Sequence, residues 1–229
     1  MVSIARQDFI TAKAREVLSS FWRHSVGVAS TALDIDGFFP LRVDLLARQV
    51  GLEIDEPDSI PSDKAGFEVA GMIDRPSRRI TIAQKFPAEY RRFTTAHEIG
   101  HWFLHPSLTY HRDRPIQGGE HSNPRRETVE QEPDLFAAEL LMPRKRLHDL
   151  FSKAFGSPIS GRDREKLELL QMHKPQLNLA RLESELRLRS LLIAEVCSLG
   201  PVIFRPLHRV FGVSVTAMAI QLEDLRLVT

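Results

Sequence analysis

Hydrophobic and polar positions follow a helical period along the first part of the chain. Apolar residues recur at helical spacing in DFITAKAREVLSSFW, residues 8–22, which predicts a helix. The segment PLRVDLLARQVGLEIDE, residues 40–56, predicts a helix that Pro40 opens and Gly51 ends, followed by a short strand.

Two short segments instead alternate between apolar and polar residues. GFEVAGMID (66–74) and RRITIAQ (78–84) flank the turn-forming RPS, which predicts a β-hairpin. RRITIAQ immediately precedes a long helical pattern, so we expect its edge to be available for pairing with an extended peptide.

Prolines mark the ends of the next two helices. PAEYRRFTTAHEIGHWFLHP, residues 87–106, predicts a helix of about five turns, because proline can open a helix but cannot continue one. The polar segment 107–126 predicts a loop. ETVEQEPDLFAAELLMP, residues 127–143, predicts a second helix, in which Pro133 is tolerable only near the first turn.

The remainder of the chain is predicted to be helical and to end in a helix-turn-helix-like segment at about residues 201–229. Its predicted turn is Gly212, and its predicted core positions are Leu207, Phe211, Val213 and Met218. Glu223 and Asp224 would repel a phosphate backbone. The segment therefore favours packing or partner recognition over DNA binding.

Composition narrows the class of protein. The chain has 229 residues, 42% of them hydrophobic, and a net charge of +1, so it can bury a core and has no large single-sign field. No apolar run approaches the roughly 20 residues that span a bilayer, and the N-terminus lacks the apolar core of a signal peptide. We expect a cytoplasmic protein with no membrane partner, in which Cys197 is a buried structural thiol.

The segment TTAHEIGHWFLH, residues 94–105, carries the candidate chemistry. His97 and His101 lie one helical turn apart, so their rings can converge on one ion at about 2.0–2.1 Å from each nitrogen. Glu98 would take a proton from the attacking water and pass it to the leaving amine. This is the H-E-x-x-H arrangement of zinc peptidases.

A chance match is the alternative, since the chain has nine histidines. The apolar residues around the motif favour a metal site, because buried histidines need partners. His105 extends the series, but it lies about 12 Å from His97 by helical rise and is too far to share one ion. We expect His105 to cap the helix or to support the site from outside.

The third ligand is expected from the following helix, which offers Glu127, Glu130, Glu132 and Glu139. Glu130 and Asp134 share a helix face, so Glu130 suits the ligand role and Asp134 suits a hydrogen bond to a ligand histidine. Glu132 projects about 200° away from Glu130. These acids could also simply stabilise a helix N-terminus.

The chain resembles the ImmA/IrrE metallopeptidases through two blocks, RRFTTAHEIGHWFLH and EQEPDLFAAELLMP. Weaker similarity brings the coverage to about residues 10–150. The resemblance implies zinc on His97, His101 and Glu130, with Glu98 as general base. The chain departs from the family pattern at Pro133 and Asp134, where alanine and asparagine are usual.

We therefore expect an α+β fold: a mostly helical, zincin-like metallopeptidase core at 1–155, with a small sheet before the active-site helix, and a helical region at 156–229. The expected cofactor is one Zn²⁺ per chain, with Mn²⁺ or another divalent ion as an alternative. The resemblance implies an endopeptidase that cleaves a helix-turn-helix repressor and so acts in transcription regulation and stress response.

Two other functions stay open from the sequence. One is a transcriptional regulator that binds DNA or a partner through residues 201–229 and has a structural metal site. A closed structural site needs four protein ligands, and three good candidates are found, which favours catalysis. The other is a toxin–antitoxin or phage-associated protease directed at a partner protein.

Overall fold

The computed structural model describes residues 2–26, 40–61, 68–108, 110–113 and 128–229. The chain divides into two compact units, Met1–Leu141 and Met142–Thr229. Helices dominate and a small mixed sheet accompanies them, so the predicted α+β class is confirmed. The predicted boundary between a peptidase core ending at residue 155 and a C-terminal region stays a prediction.

The first unit contains four helices and four strands among its described residues. The helices are α1 (Ile4–Val26), α2 (Val43–Gln49), α3 (Ala88–Leu104) and α4 (Thr128–Leu141). The strands are β1 (Glu53–Asp55), β2 (Gly71–Asp74), β3 (Arg79–Ile82) and β4 (Tyr110–Asp113).

The sheet has the strand order β1-β3-β2-β4. Strands β2 and β3 pair antiparallel with Ile73 opposite Ile80, which confirms the predicted hairpin. The prediction that RRITIAQ has an available edge is wrong, because β1 pairs in parallel with the other side of β3, Ile54 opposite Ile80. Among the described strands, β1 and β4 lie at the edges.

The predicted loop at 107–126 is partly wrong. Residues 110–113 form β4, which pairs antiparallel with β2. The period-two pattern is too short there to separate a four-residue strand from a polar loop. Residues 114–126 of the predicted loop lie outside the described residues.

Helix α3 begins after Pro87 and ends at Leu104, as its flanking prolines predict. Helix α4 instead starts at Thr128, which places Pro133 inside the helix and beyond its first turn. The restriction of Pro133 to the first turn is therefore wrong. The reason lies in packing: a β-carbon at Gly100 would be 3.0 Å from the Pro133 α-carbon, so α3 and α4 meet closely at these residues.

The core of the first unit lies where α3 and α4 meet and where α3 meets the sheet. Ile80 and Ile82 from β3, Ile99 from α3, and Phe136 and Leu140 from α4 are fully buried. Burial of each such side chain contributes about 1.5–3 kcal/mol. The candidate site therefore lies on elements that the core holds in place.

The second unit is mostly helical. Its helices are α5 (Arg144–Phe155), α6 (Arg164–Gln171), α7 (Leu179–Ser184), α8 (Leu186–Glu195), α9 (Leu207–Phe211) and α10 (Val215–Asp224). A small antiparallel pair, β5 (Ser198–Leu199) and β6 (Val202–Ile203), interrupts the predicted helical series. Gly200 has a φ of 55° between these strands, a conformation that suits a tight turn.

The helix-turn-helix-like end of the chain forms part of the core of the second unit. The four predicted core positions, Leu207, Phe211, Val213 and Met218, are all buried, and Gly212 adopts the left-handed conformation at the turn. This part of the sequence prediction is confirmed. The prediction for Cys197 is wrong, since this thiol is exposed. Helix α8 ends at Glu195, so the apolar pattern of the helix does not extend to Cys197.

None of the helices within the described ranges combines the length and the apolar character that a membrane span requires.

Candidate metal centre

The first two members of the candidate centre lie one turn apart on α3. His97 and His101 are almost fully buried, at 1% and 0% exposure. Their Nε2 atoms are 3.1 Å apart. Two nitrogen ligands at about 2.0–2.1 Å from one tetrahedral ion would be about 3.3 Å apart, so the observed spacing suits a shared ion.

The third member comes from α4. A Glu130 carboxylate oxygen lies 3.5 Å from His97 Nε2, and the other lies 4.0 Å from His101 Nε2. The three residues each offer a ligand atom, and these atoms all lie within 4.8 Å of one another. This group could hold a metal ion. Among the described residues, no other group of three or more histidine, cysteine, aspartate or glutamate side chains has that geometry.

The other acids considered from the sequence lie elsewhere. Glu132 accepts hydrogen bonds from Arg6, and Glu139 accepts one from Arg15. Glu127 lies outside the described residues. The structure thus brings Glu130, and neither Glu132 nor Glu139, to the two histidines.

A hydrogen bond on the far side of the His97 ring determines which of its nitrogen atoms offers a lone pair to the centre. Asp134 Oδ1 lies 2.8 Å from His97 Nδ1. A carboxylate accepts, so this contact places the proton on Nδ1 of a neutral His97 and directs the Nε2 lone pair toward His101 and Glu130. Two imidazoles and a carboxylate are a donor set typical of zinc and related divalent ions, so the residues present fit the ion that the sequence predicts.

Glu98 is fully buried beside this group. Strand β2 passes close to its carboxylate at Gly71: a β-carbon there would be 3.0 Å from Glu98 Oε1 and 2.4 Å from Thr94 Cγ2. Gly71 therefore permits the approach of the strand to the carboxylate. Sequence reasoning missed this residue, although a glycine inside an alternating strand pattern often marks such an approach.

Arg75, in the hairpin turn, fixes the C-terminal part of α3. It donates hydrogen bonds to the carbonyl oxygens of His101, at 2.6 Å, and Trp102, at 2.7 Å. Its guanidinium lies 4.7 Å from the centre of the Trp102 ring, and burial lowers the pKa of Arg75. A cation suits the negative end of the helix dipole. No local pattern identifies Arg75, because its partners lie 26 and 27 residues away.

His105 lies beyond the last turn of α3 as its C-cap residue. Its Nδ1 is 2.9 Å from His101 Nδ1, and its Nε2 is 2.9 Å from Glu132 Oε2. The hydrogen bond from Arg6 and, to a smaller extent, the one from His105 lower the pKa of Glu132. His105 thus contacts a candidate ligand and lies outside the group that could hold the ion.

The fold and the site together define a mostly helical domain in which two neighbouring helices direct two histidines and a glutamate to one point. The family model described as the IrrE N-terminal-like domain, of the peptidase M78 family, matches residues 56–157. The predicted resemblance to the ImmA/IrrE family is confirmed, and the chain carries a peptidase-type domain over these residues. No curated protein matches the chain.

Proposed function

We propose that the protein is a zinc-dependent endopeptidase of the H-E-x-x-H type, with His97, His101 and Glu130 as the ligands of one ion. The observation that supports this most strongly is the convergence of these three residues within a domain of a peptidase family. Asp134 orients His97 through their hydrogen bond.

The arrangement of side chains suits amide hydrolysis. When bound, a zinc-class ion acts as a Lewis acid and makes water a better nucleophile near neutral pH. Glu98 takes the proton of the attacking water on a carboxylate oxygen and passes it to the nitrogen of the leaving amine. Its burial excludes bulk water as a competing proton partner.

Catalysis is favoured over a structural role by the number of protein ligands. Structural zinc sites use four protein ligands, whereas catalytic sites use three and leave one position for water or substrate. Within the described part of the chain, the candidate centre offers three.

The proposed substrate is a regulatory protein of the helix-turn-helix repressor type, cut in an exposed segment, so that the enzyme acts in transcription regulation and stress response in the cytoplasm. The ImmA/IrrE relationship supports this proposal. Because β3 is internal to the sheet, we assign substrate pairing to β4, an edge strand among the described residues, whose residue Asp113 pairs with Gly71 beside Glu98.

A direct test incubates the purified protein with Zn²⁺ and the repressor encoded beside its gene and measures fragment masses. The expected result is one or a few discrete cuts, which the Glu98→Gln variant does not produce. An intact repressor, together with ready degradation of an unrelated unfolded protein, would replace the proposed substrate with a general peptidase activity.

A further inference from the structure

We propose that His105, Glu132 and Arg6 form a positioning chain that fixes the orientation and tautomer of His101 for metal binding. The inference rests on the proposed metal centre. It assigns a role to three residues outside the ligand group, one of which lies on α1 and far from the motif in sequence.

The contacts run without interruption from His101 to Arg6. His101 Nδ1 lies 2.9 Å from His105 Nδ1, and His105 Nε2 lies 2.9 Å from Glu132 Oε2. Arg6 then donates to both oxygens of Glu132, from Nε at 2.9 Å and from Nη2 at 2.6 Å. Such bidentate contacts fix the plane of a carboxylate as well as its position.

The chemistry of each group determines which atom donates the hydrogen in each contact of the positioning chain. Glu132, paired with Arg6, is a carboxylate and accepts, so His105 Nε2 carries the hydrogen of that contact. A neutral His105 then accepts at Nδ1, and His101 must donate from its own Nδ1. His101 is left with its lone pair on Nε2, the atom that faces His97 and Glu130.

The two ligand histidines are therefore held by different means. His97 donates directly to a carboxylate, Asp134. His101 reaches its carboxylate, Glu132, through a second imidazole. Both rings direct Nε2 to the centre, so the chain through His105 does for His101 what Asp134 does for His97.

A matched pair of contacts separates positioning from general stability. Arg6–Glu132 and Arg15–Glu139 are both ion pairs that join α1 to α4, with closest distances of 2.6 Å and 3.0 Å. Only the first of the two has a described contact with His105. Loss of either arginine removes an ion pair between α1 and α4, but only loss of Arg6 disturbs the positioning chain to His101.

The test measures Zn²⁺ affinity of the full chain by competition with a chromogenic chelator. We expect His105→Phe, which keeps a ring against His101 but no nitrogen, to bind about 10–100-fold more weakly. His105→Asn keeps an acceptor near the Nδ1 position but loses the contact with Glu132, so it should recover only part of that loss. Arg6→Ala should weaken binding by about tenfold, whereas Arg15→Ala should leave the affinity unchanged.

A second readout is the tautomer of each ring in the zinc-loaded protein, from long-range ¹H–¹⁵N NMR correlations. We expect the hydrogen of His105 on Nε2 and that of His101 on Nδ1. His105 protonated on Nδ1, or equal affinities for the Arg6→Ala and Arg15→Ala variants, would overturn the positioning chain while leaving the metal centre intact. Absence of Zn²⁺ binding by the wild-type protein would overturn the metal centre itself, and the chain with it.

Discussion

Gly100 of α3 lies directly against Pro133 of α4, and a β-carbon added at Gly100 would lie 3.0 Å from the α-carbon of Pro133 and 3.1 Å from its β-carbon. Gly100 is one residue before the candidate ligand His101, and Pro133 is three residues after the candidate ligand Glu130. The close contact therefore sets the distance between the two helices at the level of the metal centre.

The first prediction concerns this contact. Gly100→Ala should lower the free energy of unfolding by about 1–3 kcal/mol and weaken Zn²⁺ binding, because the added methyl group displaces the backbone of α4 that carries Glu130. In an exposed helix interior, the change from glycine to alanine stabilises by about 0.5–1 kcal/mol. A steric clash with Pro133 and the higher helix propensity of alanine therefore predict opposite signs for the change in stability. Urea unfolding and chelator competition measure both effects. A stabilised variant with full zinc affinity would contradict the prediction.

Glu98→Gln should keep the fold and the metal and should lose at least about 100-fold in peptidase rate, because glutamine has nearly the same shape but cannot take up the proton. Zinc content by elemental analysis and turnover of a peptide substrate measure the two properties. His101→Ala is the matched control, which should lose both. Substantial turnover by a zinc-loaded Glu98→Gln protein would exclude Glu98 as the base.

Gly71→Ala should also separate binding from turnover. Its new methyl group would lie 2.4 Å from Thr94 Cγ2 and 3.0 Å from Glu98 Oε1, so Thr94 must shift and the Glu98 carboxylate must give way by a few tenths of an ångström. The three candidate ligands do not include Glu98, so we expect zinc affinity within a few-fold of wild type and a strongly reduced kcat. Unchanged kcat would show that the strand can shift without disturbing Glu98.

Substitutions of Glu130 and Glu132, both on α4, should have different effects on zinc binding. Glu130→Ala removes a ligand and should abolish stoichiometric zinc binding. Glu132→Ala removes a supporting contact and should weaken binding by about 10–100-fold without abolishing it. Isothermal titration with Zn²⁺ distinguishes the two outcomes. The reverse order would show that Glu132, and not Glu130, is the ligand.

A pH-dependent contribution to stability is expected in the second unit. The backbone N–H and the hydroxyl of Ser160 donate to Asp163, at 2.5 Å and 2.8 Å, and these bonds hold the pKa of Asp163 below its ordinary value of 3.8. A carboxyl group with a lowered pKa in the folded state stabilises the fold above its unfolded pKa, and this contribution is lost as the pH falls through the folded-state value.

Asp163→Asn should therefore lower the free energy of unfolding at pH 7 by up to about 1 kcal/mol, with allowance for solvent screening. The difference from wild type should shrink as the pH falls below the ordinary pKa of the group. Urea unfolding curves at a series of pH values test this. A difference that stays constant into the acid range would assign the effect to something other than the charge of Asp163.

Short-range patterns were sufficient for the features that depend on neighbours in sequence. The bounds of α3 follow from its flanking prolines, and the i, i+4 spacing places Glu130 and Asp134 on one face, where the structure has them on the side of His97. Features set by distant partners were not accessible. The internal position of β3 depends on its pairing with β1, and the close approach of Pro133 to α3 depends on the absence of a side chain at Gly100.

The supporting contacts of the site show the same limit. Arg75 meets the His101 carbonyl across 26 residues, and Arg6 meets Glu132 across 126 residues. No periodicity extends over such separations, and each arginine taken alone is indistinguishable from a solvated surface charge. The error for Cys197 has a local cause, because the helix ends two residues earlier than the apolar pattern suggests.

The attachment of α4 to both α1 and α3 has a kinetic consequence. His97 and His101 can lie on one turn of an isolated helix, but Glu130 reaches them only after α4 has docked, and α1 closes that arrangement through contacts 124 and 126 residues distant in sequence. Closure over such long loops comes late in folding, because their entropy must be lost first. The newly made chain should therefore acquire a high-affinity site in its final folding steps. Once the ion is bound, the protein should exchange it only when α4 separates from α3. The exchange rate should then be set by this local unfolding and not by dissociation of a single coordinating side chain from the ion.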